Sequence, residues 1–428
     1  MGIVVTSPYR ENSILAIARA ADAERSLECF CSTLYFAGAQ PWASRIPVFG
    51  RKIARELGRR AFPGISASRI RTVASPAELL HVLARRMIGR RLPLISNAMM
   101  YWVKEQFAQG VASRLPVHAA DSLIGMYAAS WESFREARSR GLVCCLNFVN
   151  SHPVDQNRYL RELAGVRDAA HQELIPPWVA RRVEAELEAA DMVLVPSRFV
   201  AEQLRRRGVA EEAIEHIPYG VDLSAFHPDT PKPERGVAFV RCLYVGQMAH
   251  RKGIPLLLET ARSLTGMPIR FHLLGPVVSP EVLDNLPENV EYEGAGLPGR
   301  VAERMRRADL FVLPTLEDAC ALVVLEAMAS GLPVVTTTHN GSGEILNEGV
   351  EGFVVPAGDR VALREALIHL VENPGLRRSM GEAARKKVES AYSWEAYGRR
   401  VLDALRKRKE RRVSERSRGP IEADTARS

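Results

Sequence analysis

The stretch LFVLPTLEDACALVVLEAMASGLPVVTT, from Leu310 to Thr337, decides the fold class. It opens with a short apolar run, LFVL, of strand length and composition, which stops at Pro314-Thr315. A polar loop, LEDACA, follows, and then LVVLEAMA at helical length. Gly331 and Pro333 are helix stop signals. A second apolar run, VVTT, starts at once, and its loop, HNGSGE, is expected to lead into another helix. Strand, loop, helix and strand in this order imply parallel strands with covering helices.

The same alternation extends in both directions. Leu142 to Phe148, Met192 to Val195, Ala238 to Val245 and Arg270 to Leu274 read as further strands. The chain has 428 residues, enough for two such α/β units. HPDTPKPERG, with three prolines, interrupts the pattern and sets a boundary. The expected division is residues 1–228, residues 229–405, and a basic tail, 406–428, taken as a frayed helix end and then disorder.

Composition narrows the class further. No apolar run is long enough to span a bilayer, and the N-terminus does not read as a signal peptide. The six cysteines form neither a disulfide framework nor a zinc pattern, which points to buried thiols in a cytoplasmic protein. Net charge is +8. The first hundred residues hold about nine more basic than acidic side chains. Arg51, Lys52, Arg55, Arg59 and Arg60 make one cluster, and Arg85, Arg86, Arg90 and Arg91 another. These are either solvated helix faces or a surface for peripheral contact with an anionic membrane or a phosphate-bearing acceptor. No recognition motif for nucleic acid accompanies them.

Ligands of parallel sheets bind at the carboxyl ends of the strands, so the loops there carry the candidate site. Gly246 and Gln247 follow one strand, and Arg251 and Lys252 precede a helix expected from Pro255 to Leu264. Two cations beside a helix start suit a diphosphate. Glu326 lies one turn into an apolar helix, where a carboxylate needs partners such as the two hydroxyls of a ribose. Asp318, on the loop before that helix, can accept bonds from sugar hydroxyls. In the N-terminal half, His152 follows a strand and either caps the turn before Pro153 or faces a ligand. Gln156, Asn157 and Arg158 are candidate acceptor contacts, and His118 with Asp121 is a second candidate pair.

PTLEDACALVVLEAMASGLPVV resembles the acid-x7-acid signature of glycosyltransferase family 4, whose members have the GT-B fold. VGQMAHRKG is similar to that family's phosphate loop. VLVPSRFVAEQL, IPYGVDLSAFHP, LFVLP, GFVVPAGD and YSWEAY resemble its other landmarks, in order. The resemblance is strong over Asp191 to Trp394 and weak over the first 140 residues. It implies two Rossmann-like domains facing a cleft, with the last helix able to cross back to the first domain. It also implies a retaining hexosyl transfer from a nucleoside-diphosphate-sugar, UDP- or GDP-linked, to a saccharide or lipid-linked saccharide, with no metal ion and no other cofactor. Such enzymes often serve bacterial polysaccharide or glycolipid synthesis. By position, Glu326 would hold the ribose, Asp318 the sugar, and Lys252 with Arg251 the diphosphate. Gly246, Gln247, Gly275, Thr315, Ala319, Cys320, Ala321, Leu322 and Gly341 to Glu344 would line the donor pocket.

The chain departs from the pattern in four places. Asp318 stands where Glu is usual, with Glu317 beside it. Ala319-Cys320-Ala321 replaces a Gly-rich turn. Gln247 replaces an Arg. Tyr9 to Ser13 replaces a Gly-Gly loop. Two other readings share the fold: a nucleotide-sugar epimerase, and a catalytically silent partner subunit. No lysine setting suggests a pyridoxal phosphate enzyme of the phosphorylase type.

Overall fold

The computed structural model describes residues 2–33, 62–87, 93–116, 120–166, 171–229, 239–296 and 298–417. The first basic cluster, Arg90, Arg91, His118 and most of the expected interdomain linker lie outside these residues.

Two parallel sheets form the core. The first has strands β1 (Ile3–Thr6), β2 (Leu27–Ser32), β3 (Ile70–Thr72), β4 (Ser122–Met126), β5 (Val143–Asn147), β6 (Met192–Val195) and β7 (Ile214–His216). Their order is β3-β2-β1-β4-β5-β6-β7. The second has β8 (Val240–Val245), β9 (Ile269–Leu274), β10 (Val290–Tyr292), β11 (Leu310–Leu313), β12 (Val334–Thr337) and β13 (Gly352–Val355), in the order β10-β9-β8-β11-β12-β13. Strands such as MVLV in β6 and LFVL in β11 are buried along their whole length, because helices cover both faces. Each order reverses once, between β1 and β4 in the first sheet and between β8 and β11 in the second. The loops leaving the carboxyl ends of these neighbouring strands splay apart and open a crevice. All six cysteines are buried free thiols.

Two local expectations are corrected. HNGSGE itself folds into a 3-10 turn, Gly341–Ile345, and the next element is β13 and not a helix. The residues after Arg406 do not fray at once: one helix spans Trp394–Ser417. Its apolar side, Val401, Leu402 and Leu405, is buried. Gly398 lets its backbone approach the helix Asn12–Ala23, where a Cβ would lie 2.6 Å from the Ala16 carbonyl oxygen. Beyond that apolar turn, charge takes over from packing. Arg406 pairs with Glu24, Lys409 with Asp121, and Arg412 with Asp191 at 3.0 Å. The last helix therefore follows the second sheet in sequence and packs on the first. Among the described residues, no helix is long and apolar enough to cross a membrane.

Candidate functional site

The loops at the β8/β11 crevice are stitched together by their backbones. Leu316 N donates to the Arg251 carbonyl at 2.8 Å, and Thr315 Oγ1 donates to the same oxygen at 3.0 Å. Gly253 makes this closeness possible. It is left-handed, with φ 71°, and a Cβ there would sit 1.9 Å from the Pro314 carbonyl oxygen. Gly275 does the same for Gly246, since its Cβ would meet the Gly246 oxygen at 1.7 Å. Gln247 is exposed, and its carbonyl accepts from the Tyr244 hydroxyl at 2.8 Å.

This stitching brings four charges together. Lys252 Nζ donates to Asp318 Oδ2, and Arg251 Nη1 lies 3.3 Å from Glu317 Oε2. Glu317 and Asp318 are both buried. Burial pushes the Asp318 carboxyl up, but Lys252 and Arg251 outweigh it and hold it below the usual carboxylate range. Burial, with Arg251 beside it, pulls the Lys252 ammonium down. The cations expected at a diphosphate and the acid expected at a sugar thus begin as partners of one another.

The loop between β11 and the following helix runs beside the loop after β12. Asp318 N donates to the His339 oxygen and Gly341 N to the Asp318 oxygen, each at 2.9 Å. Asn340 Oδ1 accepts from Ala321 N and Ser342 N, at 3.3 and 3.1 Å. Cys320 Sγ packs 3.3 Å from Ser342 Oγ. The Ala-Cys-Ala turn is therefore an ordered, buried part of the site wall. It leads into the helix Leu322–Ala329, whose cap, Ala321, offers no side-chain acceptor. Glu326 is on this helix, half-buried, and its carboxylate has no hydrogen-bond partner among the described residues. Burial alone raises it to about 7.

Glu344, expected to line the sugar and phosphate pocket, already has partners across the seam. Its Oε2 accepts from Arg198 N at 2.6 Å, and its Oε1 lies 2.7 Å from His216 Nε2. It clamps the two sheets' loops together, with Ser197 Oγ donating to the Ala319 oxygen at 2.6 Å alongside. Gly341 is needed for that contact, because a Cβ would meet the Ala319 oxygen at 1.9 Å.

On the N-terminal side, His152 caps the helix Pro153–Leu163, accepting from Val154 N at 3.3 Å through Nδ1. It is fully buried, and Nε2 has no partner. Burial, then Arg207, lowers it to about 4, so the ring is neutral. Its placement is that of a cap within the wall and not of a group on the open cleft. Asp121 is also displaced from its expected role. It precedes β4 at the amino end of the sheet, where Lys409 and the Gly2 amide hold it. Asn157 instead positions the segment 171–176, exchanging hydrogen bonds with Ile175 N and O, both at 2.8 Å.

Glu173, on that segment, is a site residue that no motif in the sequence marks. It accepts from His250 N, Arg251 N and Ser279 Oγ at 2.9, 2.8 and 2.7 Å. Despite burial, His250 and these donors hold it down to about 2. With His171 and His250 it brings three metal-ligating atoms within 4.8 Å of one another, though its oxygens are already committed. A cavity of about 460 Å³ opens beside it, walled by Tyr9, Tyr127, Gln156, Glu173 and Arg251. Of these, Gln156 alone is an expected acceptor contact. Tyr9 and Tyr127 come from the ends of β1 and β4, the crevice of the first sheet, and Arg251 from that of the second.

Residues 240–373 match the model of glycosyl transferases group 1, and residues 117–225 that of glycosyltransferase family 4. A D-inositol 3-phosphate glycosyltransferase of Nocardioides sp. is 28% identical over 58% of this chain and 61% of its own length. A putative colanic acid biosynthesis glycosyltransferase of Salmonella typhimurium is 25% identical over 71% of this chain and 85% of its own. The chain thus spans about three fifths of the first relative and more of the second. The sucrose-phosphate synthase of Thermosynechococcus elongatus has the same fold, with TM-score 0.62 and 19% identity, over 95% of this chain and 98% of that one. So has HepE of Anabaena in complex with UDP, with TM-score 0.62 and 14% identity, over 95% and 100%.

Proposed function

Because the chain belongs to the group 1, family 4 glycosyltransferases, we propose that it moves a sugar from a nucleoside-diphosphate-sugar to a hydroxyl acceptor with retention and without a metal ion. The observation that carries this reading is Glu326. A carboxylate on an apolar helix, raised to about 7 and without a partner, is costly unless a ligand donates to it. Two ribose hydroxyls do so, and Glu317 and Asp318, on the loop that leads into that helix, are paired with Arg251 and Lys252 on the neighbouring loop.

In this reading the diphosphate takes Lys252 and Arg251 from their carboxylates. Asp318, released, turns to the sugar hydroxyls. The cations and the amides at the start of Leu322–Ala329 stabilise the leaving diphosphate. The acceptor hydroxyl attacks the anomeric carbon from the face the diphosphate leaves. A leaving phosphate oxygen takes the hydroxyl proton, so no protein base is required. This agrees with a neutral, buried His152 outside the reacting groups. Holding the acceptor in line supplies the remaining acceleration. That HepE was obtained with UDP supports a nucleotide in this crevice. The name of the colanic acid relative supports a role in polysaccharide assembly. Peripheral membrane contact through the basic N-terminal clusters belongs to the same proposal, and co-sedimentation with anionic vesicles tests it.

The experiment is a calorimetric panel of UDP-, GDP- and ADP-sugars, followed by turnover on those that bind. Equal and negligible binding across the panel refutes the donor site. Formation of an epimer without acceptor would favour the isomerase reading.

A further inference from the structure

The cavity between the two crevices holds a cation that the transfer chemistry above does not use. Lys104, on the helix Pro93–Ala112, lines the cavity and is 5% exposed. Its Nζ lies over three rings, 5.0 Å from the centroid of Tyr101, 5.5 Å from Tyr127 and 5.6 Å from Tyr9. Among the described residues it makes no hydrogen bond and no ion pair. Glu186, the carboxylate whose charge reaches it, is committed elsewhere. Glu186 accepts from the amides of Ala128, Ser130 and Trp131 at 2.6, 2.7 and 3.1 Å. The Tyr127 hydroxyl is buried on the same wall and has no partner. Burial pulls the Lys104 ammonium down.

A lysine serving only to cover apolar surface carries its ammonium out to water. A lysine serving a buried ion pair has its carboxylate beside it. Lys104 does neither. Aromatic faces stabilise a cation but leave its N–H donors unspent. The unspent donors, with the Tyr127 hydroxyl and the amides of Asn150 and Gln156 on the same cavity, form a set that suits an oxyanion with several acceptor oxygens. The cavity, about 460 Å³, also exceeds one phosphate and leaves room for a polyol between Lys104 and Arg251.

We infer that Lys104 and Tyr127 form an anion-reading subsite, and that the acceptor carries a phosphate ester that this subsite binds while its reacting hydroxyl points toward the donor crevice. The inference rests on the transferase reading for the word acceptor, but the site itself stands on the cavity. The ester is either a soluble sugar phosphate or a phospholipid headgroup.

The full chain is titrated with glucose and with glucose 6-phosphate, and with inositol and with glycerophosphoinositol, the soluble headgroup of a phospholipid. Nucleotide affinity is measured alongside. The phosphorylated partner of one pair is expected to bind at least about tenfold tighter than its neutral counterpart. Preference in the first pair identifies a soluble ester, and preference in the second a headgroup. Lys104→Met abolishes the preference. Tyr127→Phe, which keeps the ring, weakens it by about three- to tenfold. A preference that survives in Lys104→Met, or no preference in either pair, overturns the subsite. Wild-type protein that binds no nucleotide overturns the donor reading instead, and the phosphate preference still decides the subsite. A melt of each variant separates loss of binding from loss of fold.

Discussion

Donor binding should be linked to proton release at Glu326. Burial raises this carboxyl from 4.5 to about 7. The native state therefore holds its proton more tightly than the unfolded chain. Stability falls as pH rises from the ordinary carboxylate range through 7, and above 7 the cost is fully present. The size is about 3 kcal/mol, since each tenfold change in proton affinity is worth about 1.4 kcal/mol. Ribose hydroxyls donate best to the ionised form and so offset that cost. A ligand that requires the anion gains affinity as pH rises, by about tenfold between pH 6 and pH 8 for a group that titrates at about 7. The assay is titration calorimetry of a nucleotide-sugar, whose diphosphate has no proton to lose in this window. Buffers of different ionisation enthalpy report the proton released. Glu326→Gln should flatten the profile and stabilise the ligand-free protein at pH 8 relative to pH 5. A flat wild-type profile, or the same slope in Glu326→Gln, refutes the assignment of the ribose to this residue.

Other outcomes follow from the same geometry. Lys252→Ala and Glu326→Ala should each lower turnover at least about tenfold with saturating donor. Lys252→Met also takes from buried Asp318 its ion-pair partner and leaves it only the charge of Arg251 and the Cys320 amide, at a cost of about 1–3 kcal/mol in denaturant melts; adding Asp318→Asn should restore stability but not turnover. Gly253→Ala, with a Cβ 1.9 Å from a carbonyl oxygen, should lower stability by about 3 kcal/mol or more. Gly349→Ala, equally left-handed at φ 77° but with open space around it, should cost only about 1 kcal/mol. Equal losses at the two would refute the close approach. Truncation after residue 405 removes the pairs of Arg406, Lys409 and Arg412 and should lower stability by about 1–3 kcal/mol, read as a shift in Tm; an unchanged Tm would make those pairs idle.

Local pattern is enough to place the loops of the candidate site. LFVL, VVTT and MVLV fall in strands with the expected bounds, because each is an uninterrupted apolar run closed by a turn residue. Gly331 and Pro333 end the helix that bears Glu326 for equally local reasons. The polar tail misleads because composition registers its lack of apolar residues and not the distant acids, Glu24, Asp121 and Asp191, that hold it. Lys104 is inconspicuous inside a helix whose sequence, YWVKEQF, does not say which face is covered.

The order of strands along the chain, the stop signals and the chemical types in the loops are set locally, so the amino-acid sequence alone determined the fold class and the donor-side candidates. What the tertiary structure alone decided is which charges meet. It pairs Lys252 with Asp318 and Arg251 with Glu317, turns Glu344 to the seam, buries His152 as a cap, and leaves Lys104 and Glu326 without a hydrogen bond or ion pair to their charged groups among the described residues. Those outcomes depend on contacts between segments far apart in the chain, where burial and the nearest opposite charge, not residue type, set what a side chain can do.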